Sequence, residues 1–164
     1  FAEKKVIPTP DFVKKIKAAV AARSNADLVI FARTDARQMN GLDDAVDRVT
    51  RCCDAGADVA FIEAPQSLAE LEAIPKRVKH PLLVNMLTGG VTPILSVKEL
   101  SQLGYMMMAC PIESLMVTAR AMQDLCEALK RDGRVDQVAG RALGFDGVKK
   151  LLDLDRWTKL KDGL

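Results

Sequence analysis

Aromatic residues make up only 4% of this 164-residue chain, too few to build a base-stacking platform for single-stranded nucleic acid. An excess of one charge is missing as well. The net charge is +2, and lysines such as Lys14, Lys15 and Lys17 or Lys149 and Lys150 spread over helical faces, so no stripe forms for a phosphate backbone or an anionic membrane. No apolar run approaches the ~20 residues that cross a bilayer, and Phe1 to Lys5 lack the pattern of a secretory signal. The default expectation is a soluble cytoplasmic protein with neither nucleic acid nor membrane as partner. There is one histidine, and the four cysteines lack metal-ligand spacing: Cys52 and Cys53 are adjacent, Cys110 ends an apolar run and Cys126 lies in a helical pattern. Reduced thiols packed in a core are expected. With 49% apolar residues the chain can bury a substantial core. It opens on Phe1 rather than Met, as a segment of a longer protein would.

What is present is organised around Leu28-Val29-Ile30-Phe31-Ala32-Arg33-Thr34-Asp35. The apolar run is short and rich in β-branched and aromatic residues, which suits a strand buried on both faces of a parallel sheet. Polarity then flips at Arg33 and Asp35. The pattern recurs: Val59 to Ile62 ends in Glu63, Pro81 to Val84 ends in Asn85, and Tyr105 to Ala109 ends in Cys110. Polar groups at the carboxyl ends of successive buried strands mark the face where α/β proteins place their chemistry.

Helical patterns separate these strands. Thr9 is placed to cap a helix with Pro10 in its first turn and Phe12, Val13, Ile16, Ala19 and Val20 on one face. A polar loop after Arg33 leads to a helix carrying Leu42, Ala45, Val46, Val49, Cys52 and Cys53, ended by Gly56. Ser67 to Glu70 and Ser96 to Glu99 both read as capping boxes, the first opening a helix with Leu68, Leu71, Ile74 and Val78 turned inward. A long helix from Ile112 to Arg131 carries Leu115, Ala119, Met122, Cys126 and Leu129 on one side, and shorter helices follow around 135–143 and 145–160.

Strands alternating with helices predict consecutive right-handed βαβ units. Two architectures satisfy that: an open doubly wound sheet, or half of a (β/α)8 barrel, which leaves two sheet edges to be paired or covered.

Five blocks, in order, carry a resemblance. Ala32-Arg33-Thr34-Asp35-Ala36, then Gly41-Leu42-Asp43 with Ala45 and Arg48, then Ala55-Gly56-Ala57-Asp58, then Phe61-Ile62-Glu63-Ala64-Pro65, then Asn85-Met86-Leu87 with Gly89-Gly90 and Thr92-Pro93, together resemble the isocitrate lyase and phosphoenolpyruvate mutase superfamily. The branch they resemble holds methylisocitrate lyase, oxaloacetate decarboxylase, petal-death and carboxyphosphonoenolpyruvate-mutase-like enzymes. The resemblance implies α/β architecture, the C-terminal half of a (β/α)8 TIM barrel: residues 1–133 as four parallel strands with helices, and 134–164 as C-terminal helices exchanged between subunits of a homotetramer. Lys4-Lys5-Val6-Ile7-Pro8 resembles the stretch after the family's Lys-x-x-Cys-Gly-His gating loop.

The resemblance also assigns roles. Arg33 corresponds to the arginine that binds the substrate carboxylate, a task that suits a planar, permanently charged fork; on its own chemistry it could equally pair with Asp35 or Glu63. Glu63 corresponds to the glutamate near Mg2+ and its waters, and Asn85 to the amide that holds a carboxylate or enolate oxygen. Thr88, Gly89 and Gly90 could bring backbone N–H groups to an anion, or form an ordinary turn. Asp35 either orients Arg33 or caps a turn. Cys110 lacks a base to activate it, His80 precedes a strand at the end away from the site, and Met106 to Met108 read as barrel filling. No lysine ends a strand, which argues against a Schiff-base aldolase here.

The implied activity is Mg2+-dependent C–C cleavage of a 2-hydroxy or 2-oxo dicarboxylate through an enolate, on a small carboxylic acid such as oxaloacetate, an alkylmalate or a methylisocitrate-like acid. Asn85-Met86-Leu87 departs from the Asn-Cys-Ser-Pro-Ser block of isocitrate lyases, and Met116 stands where methylisocitrate lyases carry an arginine, which favours the smaller acids. Phosphonate P–C chemistry of the same family and a non-catalytic half barrel are the competing expectations. The metal aspartates and the gating-loop Cys or Ser are expected upstream of Phe1, so that this segment alone is expected to be inactive.

Overall fold

The computed structural model describes residues 4–163; Phe1, where the post-loop stretch is expected to begin, lies outside them. The described chain divides after Glu113 into two compact units.

In the first unit, α1 (Thr9–Ala22), β1 (Phe31–Thr34), α2 (Ala36–Asn40), α3 (Leu42–Asp54), β2 (Val59–Ile62), α4 (Leu68–Arg77), β3 (Leu82–Asn85), α5 (Val97–Leu103) and β4 (Met107–Ala109) follow one another. All neighbouring strands are parallel, in the order β1-β2-β3-β4. That order separates the two architectures. A doubly wound sheet reverses its strand order at a switch point, whereas a sheet that adds each new strand on the same side is wound as a barrel. The fold is therefore the half-barrel one, four βα units in sequence.

The register places Ala32 beside Ala60 and Ala60 beside Leu82, and this face, with Thr34, Ile62 and Val84, is buried. α3 packs on it across β1 and β2 with Ala45, Val46, Val49, Cys52 and Cys53. Asp43 and Asp44 in its first turn match the positive helix end. Gly56 follows at φ 110°, where a Cβ would lie 3.0 Å from Val20 Cγ2, so glycine is needed both for the turn and for the approach of α1.

Several expectations are corrected. The strand starts at Phe31, not Leu28, and is buried on one face only: Phe31 is 42% exposed, because β1 is an edge strand and its second face carries no helix of this unit. Pro8, not Thr9, stands at the N-cap of α1. The loop after Asp35 contains the short α2. Ser67 accepts from the Glu70 N–H at 3.2 Å, but the Glu70 carboxylate turns to Arg37 instead of closing the box, and Leu68 is exposed. The Ser96 and Glu99 box closes in both directions. Met108 on the other edge strand and Met106 just before it are exposed rather than filling a barrel, and Cys110 and Cys126 are exposed while Cys52 and Cys53 are buried.

The second unit contains nearly all of α6 (Glu113–Asp132), a 3-10 segment (Asp136–Arg141), α7 (Gly144–Leu151) and α8 (Leu154–Asp162). Asp124 pairs with both Arg120 and Arg141, tying the 3-10 segment to α6. The apolar stripe expected along one side of α6 is exposed at Leu115, Met122 and Leu129, and only Ala128 of this helix is buried. Periodicity reports that a face is apolar, not what covers it. The helix expected over 145–160 is broken at Asp153, which takes φ 50°. No helix among the described residues is long and apolar enough to cross a membrane.

Candidate functional site

Arg33, Glu63 and Asn85 meet where sequence order placed them, at the carboxyl ends of β1, β2 and β3. Arg33 is the register partner of Phe61, Phe61 that of Leu83, and side chains two residues apart share a face, so Glu63 and Asn85 stand on the Arg33 side of the sheet. Glu63 is held there by its own backbone N–H, which donates to Thr34 O at 2.9 Å. Its carboxylate joins the cluster: Asn85 Nδ2 donates to Oε2 at 3.1 Å, and Arg33 Nη2 lies 3.4 Å from the same oxygen.

Asp35 fixes the guanidinium from the other side. Arg33 Nε donates to Oδ1 at 2.9 Å and Nη2 to Oδ2 at 3.3 Å, and Lys4 Nζ donates to Oδ2 at 2.9 Å. The orienting role of Asp35 and the ion pairs of Arg33 thus coexist. The hydrogen bond to Asp35 holds the Arg33 pKa above its ordinary value against the opposing effect of burial. For Asp35, burial pushes upward, but hydrogen bonds from Arg33 and Lys4 outweigh it and keep the carboxyl below its usual range. The guanidinium also sits over the Phe61 ring, 5.1 Å from its centroid. Nη1 takes part in none of these contacts, leaving one edge of a cation held on its other sides.

Thr88 and Gly89 lie on the loop after β3, Gly89 at φ 80°. The Thr88 N–H donates to Glu113 Oε1 at 2.8 Å, so the loop amide does meet a carboxylate, one supplied by the chain itself. That hydrogen bond lowers the Glu113 pKa. His80 precedes β3 and pairs with Asp54 at 3.1 Å, away from the cluster.

Three contributors escaped the sequence reading. Lys4 reaches Asp35 across 31 positions, Phe61 was named only within its strand and the block around Glu63, and Glu113 was passed over at the head of α6. Only Phe61 carried a signal, being two residues before Glu63 and hence on its face. A cleft of about 450 Å³ beside β1 is lined by Lys4, Lys5, Lys15, Arg33 and Asp35 among others.

Mg2+ takes six oxygen donors and keeps several waters. Among the described residues no group of three or more His, Cys, Asp or Glu could hold a metal. Glu63 has one oxygen engaged by Asn85 and Arg33, which suits a single water-bridged contact to a cation and does not make a site by itself.

Comparison with known proteins identifies the family. The family described as phosphoenolpyruvate phosphomutase matches residues 1–130. The chain is 37% identical over 161 residues to a chloroplastic carboxyvinyl-carboxyphosphonate phosphorylmutase of Arabidopsis thaliana, covering 96% of this chain and 48% of the relative. It is 39% identical over 153 residues to a 2,3-dimethylmalate lyase of Eubacterium barkeri, covering 93% and 53%. Among solved structures, a 2,3-dimethylmalate lyase superposes with TM-score 0.84 at 32% identity, over 96% of this chain and 56% of that one. An oxaloacetate acetylhydrolase bound to 3,3-difluorooxalacetate gives TM-score 0.88 at 26% identity, over 99% and 55%. The chain spans about half the length of the relatives it matches. With its family match, its sequential parallel strands and its polar strand ends, the chain belongs to the phosphoenolpyruvate phosphomutase family of the isocitrate lyase and PEP mutase superfamily, whose members here are lyases, mutases and hydrolases.

Proposed function

We propose that the protein containing this segment cleaves a C–C bond of a small 2-hydroxy or 2-oxo dicarboxylate, and that this half of its barrel supplies the carboxylate-binding side of the site. The observation that carries the reading is the Arg33 guanidinium, oriented by Asp35 and backed by Phe61, with Nη1 left over for a ligand. A fixed cation binds a substrate carboxylate at low reorganisation cost, and preorganised charge of this kind stabilises negative charge that develops as a bond breaks.

For a 2-hydroxy acid the hydroxyl loses its proton, the bond between C2 and C3 breaks, and its electron pair collects beside the second carboxylate as an enolate that then takes up a proton. Arg33 holds one carboxylate. Asn85 and Glu63 share a hydrogen bond that sets both side chains along the next two strand ends. Mg2+, which the family resemblance implies, supplies Lewis-acid polarisation of the substrate oxygens when bound.

A second reading, P–C chemistry on a phosphonate, is favoured by the phosphorylmutase among the relatives. Turnover by the intact gene product of oxaloacetate, an alkylmalate and phosphonopyruvate, each with Mg2+, separates the two. Cleavage of a dicarboxylate supports the lyase reading; turnover of phosphonopyruvate alone overturns it.

A further inference from the structure

The loops that follow β1 and β2 are tied together by a contact the chemistry above does not use. Arg37 in α2 donates from Nε to Glu70 Oε2 at 2.8 Å and from Nη2 to Oε1 at 2.5 Å, both side chains being 18% exposed. Nη2 also donates to Gln66 Oε1 at 3.1 Å, and the Gln66 N–H donates to Glu70 Oε2 at 2.9 Å. A planar fork on two carboxylate oxygens fixes direction as well as distance.

What this clamp closes is the turn that begins at Glu63. Ala64 takes φ 58°, a left-handed conformation that crowds its Cβ and persists only where the surroundings enforce it. Proline follows, and Pro65 is fully buried. On its other side Glu63 is fixed by the N–H bond to Thr34 O. The aim of its carboxylate therefore depends on Ala64 staying where it is.

We propose that Arg37 and Glu70 are positioning residues: their pair holds the Ala64 turn and, through it, directs Glu63 at Asn85 and Arg33. The proposal rests on the reading of Glu63 as part of the site. A pair that served only to pin α2 to α4 would contribute stability and leave Glu63 in place.

The test uses Arg37→Met and Glu70→Gln in the intact gene product. In their crystal structures Ala64 is expected to leave the left-handed region and the contact between Asn85 and Glu63 to be lost; retention of both overturns the proposal whatever the activity. In kinetics, kcat is expected to fall by roughly ten- to a hundredfold, the scale of a misplacement near 1 Å, with KM little changed. The double variant should be no worse than either single one, and Arg37→Lys should recover only part of the loss, since an ammonium cannot span both oxygens. A lowered melting temperature with unchanged kcat overturns the proposal. A wild-type protein without lyase activity would instead remove the functional reading, and the crystal structures would still decide the positioning role.

Discussion

The Tyr105 hydroxyl donates to the carbonyl of Leu71 at 3.2 Å, and that carbonyl is the one an N–H at position 75 would serve if position 75 were not proline. Pro75 removes a donor from α4, and the ring before β4 restores it. Tyr105 is buried and its pKa is raised by burial, as fits a phenol that stays protonated to donate. Tyr105→Phe should cost about 1–3 kcal/mol, the cost of a buried carbonyl left without a donor. In a Pro75→Ala background the cost should shrink, because the helix then supplies its own N–H. Urea unfolding of the four proteins measures the coupling.

Phe61 both fills the sheet face and carries Arg33. Phe61→Leu keeps an apolar side chain but removes the ring, so stability should fall by about 1.5 kcal/mol or less. Oxalate, a minimal dicarboxylate probe, should also bind more weakly, because the guanidinium loses an attraction of about 0.5–1 kcal/mol that holds it in place. Calorimetric titration of the intact protein reads the second effect separately from the first.

Arg48 is a buried cation, its Nε donating to Asp44 Oδ2 at 2.6 Å and its Nη1 to Ile7 O at 2.7 Å. Arg48→Met removes the Arg48 donor from the Ile7 carbonyl and leaves Asp44 Oδ2 with Asn40 alone, and should cost about 1–3 kcal/mol near neutrality. Burial pushes the Asp44 carboxyl upward, but hydrogen bonds from Arg48 and Asn40 outweigh it and hold it low. A carboxyl whose folded pKa is depressed contributes stability above its unfolded pKa, near 3.9, and loses it as pH falls through that value toward the folded one. The gap between parent and variant should therefore narrow below about pH 4, which denaturant unfolding at pH 7, 5 and 3.5 would show. A constant gap would mean that Asp44 is not coupled to Arg48.

Burial pushes the Cys52 and Cys53 thiols up to about 11, so neither forms appreciable thiolate at neutral pH. Cys110 and Cys126 are exposed. With an aromatic disulfide reagent at pH 7.5, Cys110 and Cys126 should react rapidly, and Cys52 and Cys53 only after unfolding. Peptide mapping of the labelled protein assigns the sites.

The strands were legible because each apolar run ends in a polarity change, and the same change marked Arg33, Glu63 and Asn85; their order in the sheet was not, since polarity changes suit a doubly wound sheet as well as a barrel. What stayed hidden depends on distance in sequence or on choice between partners. Ser67 to Glu70 spells a capping box, yet the Glu70 carboxylate finds a guanidinium instead, and nothing local to α4 announces Arg37, 33 positions away. Pro75 looked unremarkable in a helical pattern until Tyr105 supplied its missing donor. The apolar stripe of α6 was legible as a stripe, but its exposure was not, since spacing fixes a face and not its cover.

The most direct measurement is kcat/KM of the intact protein on the dicarboxylate it turns over, for the wild type against Arg33→Lys. Lysine keeps the charge but cannot hold Asp35 with one edge while presenting another to a carboxylate. Loss of a charged hydrogen bond predicts a fall of roughly ten- to a hundredfold. Equal values for the two proteins would contradict the placement of substrate on Arg33.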